Sequence, residues 1–266
     1  MNIQTSAVFN GDVIPQNGGL FTADNRVFQY GDGLFETIRY EKGQLWFFSD
    51  HVERLRAGMM ALKMLPNPVF TKQELQIQVL DLIARNQLSA EPVRVKIQVW
   101  RRPGGLYTPA TNEVDYLITV KPGQPFAVTE KTNLGIYPDF RLSPSPVSAY
   151  KTCNALPYVL AGLYRQEHGF DDVMLLDTHG HLAECMASNL FWFVGETLFT
   201  PSLETGCLGG VLRRQLLRHF PAQEGLFFPD TLEKADCLFC GNVAGIQVYR
   251  GLNSPWVTGL ERIFAA

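Results

Sequence analysis

A single amine stands in the stretch AYKTCNALPYVLAGL (149–163), where Lys151 directly precedes a helical pattern of apolar and small residues. Apolar surroundings disfavour an ammonium, lower its pKa and make the amine a nucleophile or base near neutrality. Read alone, the same lysine also fits a surface residue whose stem lies along apolar groups. Glu184 is the only acid in HLAECMASNLFWF. If buried, its carboxylate calls for an arginine, a metal or a protonated heterocycle; at a strand edge it would face water. Gly209 and Gly210 stand just ahead of the helical run VLRRQLLRHF. Bare backbone N–H groups and the helix dipole suit an anion there, although the pair by itself reads first as an ordinary turn. Arg54 offers a forked guanidinium for the same anion.

A lysine, an acid in a strand, an arginine and a Gly-Gly helix start together fit one ligand. Pyridoxal 5′-phosphate takes a lysine on its aldehyde, an acid at its ring nitrogen and an anion pocket for its phosphate. Other chemistries find less support. The glycine spacing matches neither a P-loop nor a dinucleotide fingerprint, and no G-x-S-x-G is present. The five histidines form no H-x-x-x-H set, and His179-Gly-His181 reads as a solvated turn. Cys237-Leu-Phe-Cys240 has no second pair, so no metal is expected.

The elements that must position these residues follow from periodicity. Val52, Leu55, Met59 and Leu62 form a bulky stripe on a helix after GQLWFF, with Asp50 and Glu53 as an approximate capping arrangement. Its other side carries Arg54, Ala57, Gly58 and Ala61, which predicts a helix packed on both faces. A second helix spans about 72–86, and VRVKIQVW alternates as a strand covered on one side. After the strand DYLITV, KPGQP (121–125) is the linker candidate. A helix from about Asn154 presents Leu156, Leu160, Leu163 and Tyr164, with Pro157 in its first turn. Residues 171–201 read as successive strands separated by the turns DTHG and VGET. The expected fold is α/β (α+β) in two unequal domains, 1–120 and 126–266.

The chain has 266 residues, 46% apolar and 18% charged, which suits a globular enzyme with a substantial core. A net charge of −3 gives no electrostatic case for nucleic acid or an anionic membrane. MNIQTSAVFNGDVIP lacks a basic and then an apolar region, so no secretory signal is expected, and no apolar run reaches bilayer length. Five cysteines without a spaced framework point to buried thiols in a reducing cytoplasm.

The chain resembles the class IV (fold type IV) pyridoxal-phosphate enzymes, which include branched-chain and D-amino-acid aminotransferases and aminodeoxychorismate lyase. The matching segments are YGDGLFETIR (30–39), HVERL (51–55), YKTCN (150–154), AECMASNLFW (183–192) and TPSLETGCLGGVLR (200–213). The resemblance implies a smaller N-terminal α/β domain, a larger pseudo-barrel-like C-terminal domain that binds the cofactor, and a homodimer. It implies that Lys151 carries pyridoxal 5′-phosphate as an aldimine and shuttles the proton, and that Glu184 pairs with the ring nitrogen. Arg54 and the N–H groups of Val211 and Leu212 would hold the phosphate, and Leu208 would pack on the ring. Asn242 falls in a second phosphate-contacting turn, where transaminases commonly have threonine or serine. Arg26 and Phe35 would lie near substrate, and the loop WRRPGGLYTP (100–109) places Arg101, Arg102 and Tyr107 there too. The leading expectation is a cytoplasmic transaminase of amino acid metabolism, acting on a D-amino acid or a branched-chain amino acid and a 2-oxo acid. The alternative is a lyase that releases pyruvate and 4-aminobenzoate from aminodeoxychorismate. A binding module without activity is the third possibility, and the full set of candidate residues argues against it.

Overall fold

The computed structural model describes residues 5–17, 22–65 and 70–264. The first four residues of the N-terminal stretch read for a secretory signal lie outside that range. The chain divides into two units, Met1–Pro125 with Tyr150–Asn154, and Phe126–Ala149 with Ala155–Ala266.

The first unit contains β1 (Ser6–Phe9), β2 (Asp12–Pro15), α1 (Arg26–Tyr30), β3 (Gly33–Glu41), β4 (Gln44–Leu45), α2 (Phe48–Ala61), α3 (Lys72–Arg85), β5 (Val93–Arg101) and β6 (Val114–Pro122). Its strands form one antiparallel sheet in the order β2-β1-β6-β5-β3-β4. Val93, Val95, Ile97 and Val99 are buried, as the alternation of β5 predicts. They share one core with Leu34 and Ile38 of β3, Val52, Leu55 and Met59 of α2, and Leu75, Val79 and Leu82 of α3. On the other side of α2, a Cβ at Gly58 would lie 3.1 Å from both Leu34 methyls and from the Tyr150 Cβ. The helix is therefore packed closely on two faces, as its composition indicated. Its start differs from the expectation. Phe47, at φ 53°, is the N-cap and no side chain caps the helix, while Ser49 Oγ donates to Glu53 at 3.1 Å. A left-handed backbone residue turns the chain where a capping box was expected.

The second unit contains β7 (Ala127–Glu130), β8 (Leu134–Leu142), α4 (Leu156–Glu167), β9 (Asp172–Asp177), β10 (Leu182–Cys185), β11 (Asn189–Val194), β12 (Thr197–Pro201), α5 (Val211–His219), β13 (Ala222–Gly225), β14 (Cys237–Asn242), β15 (Gly245–Arg250) and α6 (Pro255–Phe264). A three-stranded sheet runs β10-β9-β8, and a six-stranded one runs β13-β12-β11-β14-β15-β7. Residues Asn189–Phe193 of β11 are buried on both faces of that sheet. Phe191 and Phe193 stack with Phe239 on one side, and Trp192 packs against Phe199 and Phe227 on the other. All five cysteines are free, four of them buried and Cys153 half-buried. Among the described residues, no helix is long and apolar enough to cross a membrane.

The leucine face of α4 departs from the buried helix the sequence suggested. Ala161 is its buried residue, whereas Leu156, Val159, Leu160 and Leu163 are 69, 55, 46 and 51% exposed. Periodicity reports that a face is apolar and says nothing of what covers it.

Candidate active site

In the first unit, Lys151 is held by backbone pairing to the start of β3. Phe35 N–H donates to the Lys151 carbonyl at 2.9 Å, Cys153 N–H donates to the Gly33 carbonyl at 2.8 Å, and Thr152 bridges Leu34. The lysine is half-buried, and its Nζ lies 4.8 Å from the centre of the Phe35 ring. Lys96 Nζ stands 4.9 Å from the same ring. Phe35 thus carries two amines, of which the sequence reading identified one.

Arg54 is buried on α2, where Nε and Nη2 donate to the two oxygens of Glu36 at 2.8 and 2.6 Å. His51 Nδ1 lies 2.6 Å from Glu36 Oε2. Burial works against the Glu36 charge, but Arg54 and His51 outweigh it and hold the carboxyl at about 2. Burial also lowers the pKa of His51, so the imidazole is neutral and donates from Nδ1. Its Nε2 is buried without a hydrogen-bond partner. Glu36 and His51, which orient the Arg54 fork, were missed in sequence; the signal was an acid between the apolar Leu34 and Ile38 on the core-facing side of β3.

The arginines expected near substrate have dense local networks. Arg26, 3% exposed, donates Nε to Asp32 at 2.8 Å and Nη1 to the carbonyls of Gly104, Gly105 and Leu106. Arg101 donates to the same Asp32 oxygen at 3.0 Å, to the Leu62 carbonyl at 2.7 Å and to Asn112. Arg102 pairs with Asp115 at 3.0 Å and with Glu113. Tyr107 is exposed, with its ring 5.7 Å from that of Tyr30. Arg26 and Arg101 therefore clamp the 104–106 loop and α1 around one carboxylate.

The sheet face opposite the helices carries a different group of cations. Arg39, Arg94 and Lys121 stand directly opposite one another on β3, β5 and β6, one pleat from Lys96. Like charges in such a row repel. Arg39 is answered by Glu41 at 3.1 Å. Arg94, Lys96 and Lys121 line a cavity of about 390 Å³ that also includes Phe35. Burial, together with the neighbouring Arg94 and Lys121, lowers the pKa of Lys96. Sequence reading passed over this row because alternating charges on a strand face look like ordinary solvated residues.

In the second unit, Glu184 is 3% exposed, which excludes the water-facing alternative. Tyr158 Oη donates to Oε1 at 2.7 Å and Leu208 N–H donates to Oε2 at 3.1 Å. Burial and the Glu184 charge push the Tyr158 phenol far above its ordinary range, so it remains a donor. Asn189 Nδ2 donates to the Leu208 carbonyl at 2.7 Å, and Gly209 N–H to the Ala149 carbonyl at 3.0 Å. These bonds shape the entry to α5, whose N-cap is Gly210 and which no side chain caps. A Cβ on Gly210 would fall 1.9 Å from Asn189 Oδ1, so any larger residue must displace that amide. Val211 and Leu212 occupy the first turn, where backbone N–H groups have no intrahelical acceptor. Asn242 ends β14, donating to the Ala187 carbonyl at 3.0 Å and accepting from Ala244 N–H at 2.8 Å. A bare helix start and a buried carboxylate with oriented donors fit a phosphate and a protonated ring nitrogen.

Known proteins match this chain along most of its length. The family model described as "Amino-transferase class IV" matches residues 33–248. An aminodeoxychorismate lyase from Vibrio harveyi is 30% identical over 250 residues, covering 87% of this chain and 87% of its own. A branched-chain-amino-acid aminotransferase from Escherichia coli K12 is 26% identical over 282 residues, covering 96% and 90%. The crystal structure of a branched-chain aminotransferase from Thermoproteus uzoniensis with norvaline superposes with a TM-score of 0.88 at 20% identity, covering 98% of this chain and 93% of that one.

Proposed function

The chain belongs to the class IV aminotransferases and uses pyridoxal 5′-phosphate; from that premise we propose that Lys151 and Glu184 work on the cofactor to move an amino group from an amino acid to a 2-oxo acid. When bound, the cofactor supplies an aldehyde for an amine and a ring that withdraws electrons. Lys151 Nζ would be the amine that holds the aldehyde carbon, and would afterwards carry the proton of the substrate α-carbon. Glu184, whose carboxylate is fixed by Tyr158 and the Leu208 N–H, would hold the proton on the ring nitrogen. Val211 and Leu212 N–H and the Arg54 guanidinium would hold the phosphate, the Asn242 turn would support it, and Leu208 would pack on the ring. The observation that carries this reading is Glu184, a buried acid oriented by a phenol that stays protonated.

A carboxylate on the substrate side chain goes to the Arg94, Lys96 and Lys121 cavity beside Phe35, while Arg26 and Arg101 keep their structural clamp. Such a cavity favours an amino acid with an acidic side chain. Lysis of aminodeoxychorismate is the second reading, favoured by the Vibrio harveyi relative, and it would use the same amine and the same basic row. We further propose a cytoplasmic homodimer, supported by the free cysteines and by the uncovered leucine face of α4.

Two measurements test the proposal. The holoenzyme should show visible cofactor absorbance that Lys151→Ala removes, with turnover falling by about 10²–10⁴-fold. Single amino acids should then convert the enzyme to its pyridoxamine form, and a 2-oxo acid should reverse the change. If no amino acid does so while aminodeoxychorismate yields pyruvate, the transaminase reading is replaced by the lyase.

A further inference from the structure

Away from the residues assigned to the cofactor, the hairpin between β9 and β10 gathers a second set of donor groups. Asp177 closes β9, the turn passes through His179 and His181, and Leu182 opens β10. The Asp177 side chain is 3% exposed, and its Oδ1 accepts from the N–H groups of His179 and His181, both at 2.8 Å. These two bonds fix the plane of the carboxylate. Its Oδ2 lies 2.8 Å from His181 Nδ1. The two imidazole centres are 6.0 Å apart, and the Phe228 ring packs 4.6 Å from that of His181, limiting its rotation. One ligand atom each from Asp177, His179 and His181 lies within 4.8 Å of the other two. His179 is exposed, so a cation can enter from solution.

Two imidazoles and one carboxylate form the donor set of a borderline first-row cation. Magnesium and calcium demand more oxygen ligands than this turn supplies. The sequence reading saw His179-Gly-His181 without Asp177 and found no ligand set; the turn supplies the third donor.

We propose that Asp177, His179 and His181 bind one divalent transition cation of the zinc class, pinning β9 to β10 at the turn. Glu184 lies on β10 three residues beyond His181, so the cation would stiffen the hairpin that carries this acid. The role of the cation would be structural.

The test titrates tag-free holoenzyme with Zn²⁺ and Ni²⁺ against a chromophoric chelator. The expected result is one saturable equivalent that raises the melting temperature with metal concentration. His179→Ala, which alters an exposed ring, should weaken binding by at least about tenfold. Asp177→Asn should weaken it too, whereas His168→Ala, another exposed imidazole, should leave it unchanged. Absence of saturable binding would overturn the proposal. So would binding that survives His179→Ala and vanishes on alkylation of the thiols.

Discussion

Glu36 holds Arg54 by two guanidinium nitrogens and His51 by one, all three side chains being buried. Removing one partner of such a group costs about 3–5 kcal/mol, because the remaining charge is left uncompensated. Glu36→Gln should lose stability of that order in denaturant melts, and its apoenzyme should bind the cofactor more weakly. The pH dependence has a defined sign. The Glu36 carboxyl sits below its unfolded value of 4.5, so its contribution is full above 4.5 and fades as pH falls towards about 2. His51 sits below 6.5, so the unfolded chain takes up its proton first and stability already declines as pH drops under 6.5. Thermal melts between pH 7 and 3 should show this fall, with a shallower slope below 4.5 in Glu36→Gln. Lys151 and Glu184 stand out in the sequence as candidates because each is the single charge in an apolar run. The Glu36–Arg54 pair was not, since an acid on a strand and an arginine on the next helix meet only when the helix packs.

At the level of elements, alternation located β5 and the 3.6-residue period located α2 and α3, with ends within a few residues. What periodicity left open was contact. The start of α2 rests on a left-handed Phe47, and the start of α5 rests on Gly210, whose missing Cβ gives room to Asn189. Gly210→Ala should push the Asn189 amide aside and loosen its bond to the Leu208 carbonyl. Cofactor affinity, followed by fluorescence titration of the apoenzyme, should fall at least about tenfold, or 1.4 kcal/mol. The basic row of β3, β5 and β6 makes its own prediction. Lys96→Met should raise KM for an amino acid with a side-chain carboxylate by about tenfold and change KM for norvaline little. Equal effects on both substrates would remove the row from side-chain recognition.

For the whole molecule, the exposed Leu156, Val159, Leu160 and Leu163 form the apolar stripe that a second copy would cover. Leu160→Asp should shift the proposed dimer towards monomer in sedimentation velocity while its circular dichroism stays unchanged. A net charge of −3 correctly foretold nothing about this face, because charge speaks to solubility and partners rather than to shape. The division of the chain carries one more consequence. Tyr150–Asn154 belongs with the first unit, yet it follows residues 126–149 of the second. On the ribosome, the sheet made by the first 125 residues must wait for that later stretch before its edge at Gly33–Phe35 is paired and its amine is in place. A gene cut after Pro125 would yield a fragment without its lysine, so these two modules cannot be shuffled by simple end-to-end fusion. Inheritance of Lys151 in its pairing with Gly33–Phe35 is tied to inheritance of both halves.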